Sequence, residues 1–386
     1  FGDLSQAHNI AWLGLGVLLT MLSASQTALF QGLRRIRAMA AANVAGALLG
    51  TAAGLAALSF YGAPALVAVV VLLPAGTVIA GTLLALRIER RRTRVAPAEL
   101  LPQWRDMATL GIAFMFTSLL GEATLLFVRS SIGNRLSLVD AGHFQAAWQV
   151  STQYIGFVLT AMLAEYYPRL SAHIDDFERT NRAVNAQMQV ALLLGGPVMI
   201  AMMAVAPWMV TLLYSGAFGP SVELLRWQVL GDVFKIASWP MGFVLLARAE
   251  RRAFLLTQGL WYGAYALAIW VLLPIIGLRV AGYAFLACYA MTFAVNVAVT
   301  RYVMGFRCQK SNLALVVALF AACVVTMAFA KLEARFGLIA GAVLLLAYGT
   351  FAAMRLVHLA RMHEAMPAWS HRFIERLSRI AGTHGD

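Results

Sequence analysis

Charge is what this sequence has least of. Only 12% of its 386 residues are Asp, Glu, Lys or Arg, against 61% hydrophobic, and a soluble fold needs roughly twice that charged share. A soluble fold is therefore excluded. Acidic residues are the scarcer kind, 17 against 30 Lys and Arg, for a net charge of +13. Such an excess marks nucleic-acid binding when it forms one patch, but here the basic residues fall between long apolar runs, so no nucleic-acid partner is expected. Cysteine is nearly absent. Cys288, Cys308 and Cys323 are far apart, with no C-x-x-C pair and no His at ligand spacing, so no disulfide framework, metal site or redox centre is indicated. Catalytic signatures are missing as well: there is no G-x-S-x-G, no G-x-x-x-x-G-K-[ST] and no H-E-x-x-H. An ATPase, serine hydrolase or zinc protease lacks its minimum parts. The expectation is no catalytic residue, no cofactor and no enzyme activity.

What the sequence has in abundance is apolar length. A helix crosses the hydrocarbon with about 20 mostly apolar residues, because every backbone polar group must be bonded within the segment. Eleven such spans are predicted, near 9–31, 38–60, 63–86, 107–128, 143–166, 186–213, 227–247, 253–276, 280–300, 313–331 and 336–357. The fold class is an all-α polytopic membrane protein. Small residues crowd the second span, as in Ala40–Ala47 and Gly50–Gly54, where they let backbones approach closely in a helical bundle.

Placing the loops on alternate sides puts 23 basic residues on one side and six on the other, with Lys235 inside a span. By the positive-inside rule the basic loops and the C-terminus are cytoplasmic. The segment 87–106, with arginines at 87, 90, 91, 92, 94 and 105, is predicted as a basic cytoplasmic linker between two helical lobes. It separates a three-span partial lobe, 1–86, from a six-span lobe, 107–305; two further spans fill 306–358. In the tail, 359–386, Trp369, Phe373, Leu377 and Ile380 recur at helical spacing with Arg372, Arg376 and Arg379 between them. That is the pattern of a basic amphipathic helix on the membrane surface. The chain opens on Phe1 with no basic leader region, and eleven spans with a cytoplasmic C-terminus put Phe1 outside. The expectation is that an odd number of spans precedes it and that the N-terminal lobe is incomplete.

Ionisable residues inside spans are the informative ones, since each costs about 2.5–3.5 kcal/mol at a helix centre on insertion scales and must face protein or water. In the seventh span Gln228, Asp232, Lys235 and Trp239 are spaced by 4, 3 and 4 and share one face. Two readings stand: a cavity-facing stripe, which Gln228 and Trp239 favour by extending the same face, or an i,i+3 ion pair that only glues helices. The fourth span carries Glu122 deep and Arg129 near its external end, where an Arg can also snorkel. The fifth is unusually polar, with Gln145, Gln149, Gln153 and Tyr154 in its external half, tolerable at membrane depth only against water or other helices. Asp175 and Asp176 look like an acidic metal pair but sit beside Arg179 and Arg182, and are read as a solvated loop. Cationic and amide side chains around a wet cavity suit an anionic, sugar-bearing ligand, because Arg and Lys grip phosphate oxygens.

Two segments carry a family resemblance. Glu165–Ser171 (EYYPRLS) and Arg226–Ala247 (RWQVLGDVFKIASWPMGFVLLA) resemble the O-antigen and lipid III flippases of the polysaccharide-transport branch of the multidrug/oligosaccharidyl-lipid/polysaccharide exporter superfamily. Tyr166, Pro168, Leu170 and Ser171 match a Tyr-x-Pro-x-Leu-Ser pattern; Trp227, Gln228, Gly231, Asp232 and Lys235 match Trp-Gln-x-x-Gly-Asp-x-x-Lys. The resemblance covers roughly residues 1–305. It implies a two-lobe exporter-type bundle, related to multidrug exporters, that passes a polyprenyl-diphosphate-linked oligosaccharide from the cytoplasmic to the periplasmic leaflet of a bacterial inner membrane for O-antigen or related surface polysaccharide. It also implies partners: the lipid-linked substrate, membrane lipids, and a polysaccharide polymerase with its chain-length factor. In that frame three spans precede this chain, and the last two spans exceed the family's twelve. Whether an ion gradient or the membrane potential drives it stays open. Two alternatives stay open, a cation-coupled multidrug exporter of the same fold, which Lys235 and Arg129 disfavour, and a membrane polymerase or glycosyltransferase, which the short external loops disfavour.

Sidedness is open to direct test. Single cysteines at Gly62 and at Ala96, probed in intact cells with an impermeant thiol reagent, should label at position 62 and not at position 96. Labelling at 96 alone would invert the assignment.

Overall fold

The computed structural model describes residues 7–33, 35–86, 97–248 and 250–361. The tail from 362 and the arginine-rich stretch 87–96 lie outside them. Among the described residues there are eleven α-helices: α1 (Ala7–Gly32), α2 (Ile36–Tyr61), α3 (Leu66–Leu86), α4 (Pro97–Arg135), α5 (Leu138–Ala172), α6 (Phe177–Leu213), α7 (Gly219–Ala247), α8 (Arg251–Ile276), α9 (Val280–Met304), α10 (Lys310–Leu332) and α11 (Ala334–Arg361). No strand occurs among them. The protein is an all-α, multi-pass membrane protein. Among the described residues eight stretches are long and apolar enough to cross a membrane, one of them containing both α8 and α9. Outside those eight, residues 111–128 of α4 are also predominantly apolar, with Glu122 their one charged residue, whereas Gln145, Gln149 and Gln153 dilute the apolar face of α5. Helix α4 also begins at Pro97, well before the expected span at 107, with a proline preset for a first helical turn.

The chain divides into two compact units, residues 1–103 and 104–386. In the first, α3 packs against both α2 and α1. The α2–α3 contact works because of glycine. A Cβ added at Gly50 would lie 2.7 Å from the Leu73 Cα, and one at Gly76 would lie 2.9 Å from the Gly50 Cα. Without side chains the backbones touch, and dispersion and close packing hold helices together where lipid removes the hydrophobic drive. Gln26 ties α1 to α3 by donating from Nε2 to the Thr82 hydroxyl at 2.8 Å and the Val78 carbonyl at 3.3 Å. The outward leucines and valines of α2, among them Val44 and Leu48, are exposed, as suits a surface facing hydrocarbon. The α2–α3 turn is one loop residue, Gly62, whose φ of 64° is a conformation favoured for glycine, followed by a 3₁₀ turn.

The second unit is built around α7, which packs against α5, α6, α8, α9 and α10. Helices α7 and α9 run parallel, because their contacts advance together: Trp227 against Gly282, Gly231 against Phe285, Lys235 against Tyr289, and Arg248 against Val303. Helix α8 returns between them. Helices α10 and α11 dock on α6. At Gly231 a Cβ would lie 2.6 Å from the Phe285 ring, and at Gly282 2.7 Å from the Trp227 Cβ, so both glycines set the α7–α9 spacing.

Pro207 in α6 and Pro274 in α8 free carbonyls that lipid cannot satisfy, and arginines satisfy them. Pro274 has no N–H for the carbonyl of Trp270, one turn earlier; Arg135 Nη1 donates to that oxygen at 2.7 Å. Pro207 leaves the Met203 carbonyl free in the same way, and Arg226 Nε donates to it at 3.4 Å. If this account is right, Arg135→Met should lower stability by about 1.5–3 kcal/mol. In a Pro274→Ala background, where the restored amide supplies the donor, the same change should cost much less. Thermal unfolding of the four variants in detergent measures the coupling; strict additivity would refute it.

Candidate functional site

The seventh span supplies the centre of the site. Helix α7 starts with proline in its first turn and is buried along most of its length in the second unit. Its stripe Gln228, Asp232, Lys235 and Trp239 consequently faces protein. Asp232 is 0% exposed. A carboxylate so placed must be compensated, and α5 compensates it: Oδ2 accepts the Ser151 hydroxyl at 2.9 Å and the Tyr154 hydroxyl at 2.5 Å. On the other oxygen, Oδ1, the Lys235 ammonium lies 3.7 Å away, an ion pair and too long for a hydrogen bond.

Lys235 has a second set of neighbours. Its Nζ lies 5.4 Å from the centre of the Tyr289 ring and 5.9 Å from that of Phe285, both on α9. These rings belong to an aromatic wall shared by α5, α8 and α9, in which Trp148 meets Phe285 edge-on at 5.8 Å and Trp261 stacks on Tyr265 at 5.3 Å. With 22% of its side chain accessible, Lys235 is the one member of the Asp232 cluster with a charge that can turn outward. Its four-carbon stem allows that movement. The arrangement can therefore hold a cation in reserve and release it to an anion.

Other residues singled out in the sequence are distributed as follows. Gln228, one turn before Asp232, is completely buried and neither its Oε1 nor its Nε2 has a partner among the described residues. Trp239 is half-buried, its ring 4.7 Å from Phe243 and 5.8 Å from Tyr166. Tyr166 also donates to the Pro240 carbonyl at 2.9 Å, so the two sequence motifs meet here. On α5, Tyr154 points inward, whereas Gln149 and Gln153 are exposed and Gln145 is half-buried with Oε1 unpartnered. The glutamines repeat every four residues, and Ser151 and Tyr154 fall on roughly the opposite side of the helix at about 100° per residue. The fifth span thus has two polar faces, not one. Glu122 is exposed and Arg129 half-buried, its Nε without a partner among the described residues; the described contacts of the Asp232 carboxyl are Ser151, Tyr154 and Lys235. Asp176 caps α6, accepting the Arg179 amide at 3.0 Å. That hydrogen bond holds its carboxyl below the usual carboxylate range. Among the described residues no three of His, Cys, Asp and Glu gather as a metal site would require.

Sequence reasoning missed Ser151, Phe285 and Tyr289. Ser151 was findable, being three residues before Tyr154 and hence on its face. The α9 rings were not, since only the parallel α7–α9 register brings them to Lys235.

Comparison with known proteins places this geometry. The lipid III flippases of Escherichia coli (strain K12) and Shigella flexneri are each 21% identical over 272 residues, an overlap of 69% of this chain and 64% of theirs. The chain thus spans less than two thirds of the length of these curated relatives. A solved structure of the lipid II flippase MurJ, in an inward closed conformation, shares the fold: it matches 92% of this chain and 74% of its own with a TM-score of 0.62 at 10% identity. The profile of the polysaccharide biosynthesis protein family takes in residues 2–223, more than half of the sequence, and the chain belongs to that family.

Proposed function

We propose that this protein translocates a polyprenyl-diphosphate-linked oligosaccharide from the cytoplasmic to the periplasmic leaflet of a bacterial inner membrane, by alternating access and without a covalent step. The observation that carries the reading is the Lys235 ammonium, poised between a buried carboxylate and an accessible face. Flippases of lipid III and lipid II are similar in sequence and in fold respectively, and their substrates point to the same ligand class.

The mechanism follows from differential contacts. In the empty state Lys235 rests on Asp232. A diphosphate presents more negative charge and more acceptors, so it draws the ammonium off. Asp232 does not then become an orphan, because the Ser151 and Tyr154 hydroxyls remain on Oδ2. When the lobes reorient and the anion leaves, Lys235 falls back to the carboxylate. Trp239 and Gln228 extend the same stripe toward the sugar, and Glu122, Arg129, Gln145, Gln149 and Gln153 are assigned as further contacts in the cavity. The basic loops and the C-terminus are assigned to the cytoplasm from the asymmetry of 23 to six. A polysaccharide polymerase and its chain-length factor are the expected downstream partners.

Export of surface polysaccharide in a complementation assay tests the pair. Lys235→Ala should lower export by roughly tenfold or more at normal membrane abundance, the worth of one charge-assisted hydrogen bond. Lys235→Arg should keep part of the activity, since the charge persists with altered geometry. The double variant Asp232→Asn, Lys235→Met removes both charges at similar volume and should be as inactive as Lys235→Ala. A fully active double variant would make the pair packing alone.

A further inference from the structure

A second basic site lies where α6 begins and α9 ends. A cleft of about 830 Å3 opens there, lined by Phe177, Asn181 and Arg182 on α6 and by Tyr302, Gly305 and Arg307 at the end of α9. Its two sides are locked together by asparagines. After Gly305, whose φ of 67° turns the chain, the Arg307 amide donates to Asn181 Oδ1 at 2.9 Å. Asn185 Nδ2 donates to the Arg307 carbonyl at 2.9 Å, and Asn185 Oδ1 accepts the Gln309 amide at 2.9 Å. Asn312, fully buried, donates from Nδ2 to the Asn185 carbonyl at 2.8 Å. The clamp uses only the backbone of Arg307, and so fixes its Cα beside Arg182 while leaving the guanidinium unspent. Arg248 closes the rim, donating from Nη1 to the Val303 carbonyl at 3.2 Å and lying 4.9 Å over the Phe177 ring. Against these three arginines stand two carboxylates, Glu178, 3.8 Å from Arg182 and almost wholly exposed, and Asp176, which caps α6 within reach of the Arg182 charge.

We propose that this cleft binds the phosphate headgroup of an anionic phospholipid. The chemistry for phosphate is the paired guanidinium forks. The argument for a lipid is position: α6 and α9 are membrane-spanning stretches and the cleft sits at their ends, at headgroup level. Tyr302 is 92% exposed and Phe177 51% exposed, and aromatic side chains unburied at the end of a span are those that settle at the membrane interface. A lipid there would bridge α6 to the α9–α10 connection. The proposal rests on the membrane reading of α6 and α9 and is independent of transport.

The test uses the full chain in phosphatidylcholine nanodiscs with graded phosphatidylglycerol, with retained lipid counted by native mass spectrometry. The wild-type chain should retain phosphatidylglycerol over phosphatidylcholine. Arg182→Gln together with Arg307→Gln should weaken that preference by about fivefold per arginine, with an unchanged unfolding temperature in pure phosphatidylcholine because the asparagine clamp is intact. Arg335→Gln, an exposed arginine paired with Glu333 outside the cleft, should leave it unaltered. Three results would overturn the proposal: no preference in the wild type, an equal preference in the double variant, or loss of bound phosphatidylglycerol to millimolar inorganic phosphate, which would make the cleft a small-anion site. Both leaflets have the same composition in a nanodisc, so the outcome does not depend on sidedness.

Discussion

Asp232 places a carboxyl group where water does not reach, and much of the second unit is arranged around that constraint. An ionised carboxylate in a low-dielectric interior costs several kcal/mol unless its oxygens are bonded and its charge is matched. One oxygen is met by two hydroxyls from α5 and the other faces Lys235 from the next turn of its own helix. For those groups to converge, α5 must lie on α7 in one register. For Lys235 to reach the rings of Phe285 and Tyr289, α9 must run parallel to α7 at close range, which Gly231 and Gly282 permit. The buried charge therefore links three helices, and displacing any one exposes a cost on the others.

Such an arrangement is weak evidence for stability by itself, since a well-packed apolar core of equal volume often does as well. Its use lies in what it permits. The carboxylate is held by two neutral donors that do not depend on the lysine, while the lysine is held by a carboxylate and two aromatic faces that an anion can outbid. This is an asymmetric pair, with one fixed partner and one movable one. Cation–π contacts with the rings are individually modest, about 0.5–2 kcal/mol, which suits a group that has to leave and come back.

Much of this was legible in the sequence. The membrane class followed from composition, the elements from apolar length, and the Asp232–Lys235 stripe from its spacing alone. Sequence could also see that α5 was too polar for lipid, but it did not sort Gln145, Gln149 and Gln153 on one side from Tyr154 on the other, and it passed over Ser151. The period was available; which face met α7 was not. Longer-range polar partnerships left no local trace. Asn185 and Asn312 are 127 residues apart and meet only because α6 and α10 pack. Nor could spacing place the aromatic rings, which come from helices whose sequences read as ordinary apolar spans.

The arginines show how structure sharpens a count. On the sequence, Arg135 and Arg226 belong to the minor, external side and weaken the charge asymmetry. In the structure each is committed to a carbonyl released by a proline, Trp270 before Pro274 and Met203 before Pro207. A proline in a span leaves an oxygen that lipid cannot bond, and an arginine near the helix end can reach it with its head while its stem stays in apolar surroundings. These two residues answer to local backbone chemistry and give little information on which side a loop was retained. Setting them aside leaves 23 basic residues against four. At Pro274 and Pro207 the broken bond is replaced from a neighbouring element, and the replacement pins α4 to α8 and α7 to α6.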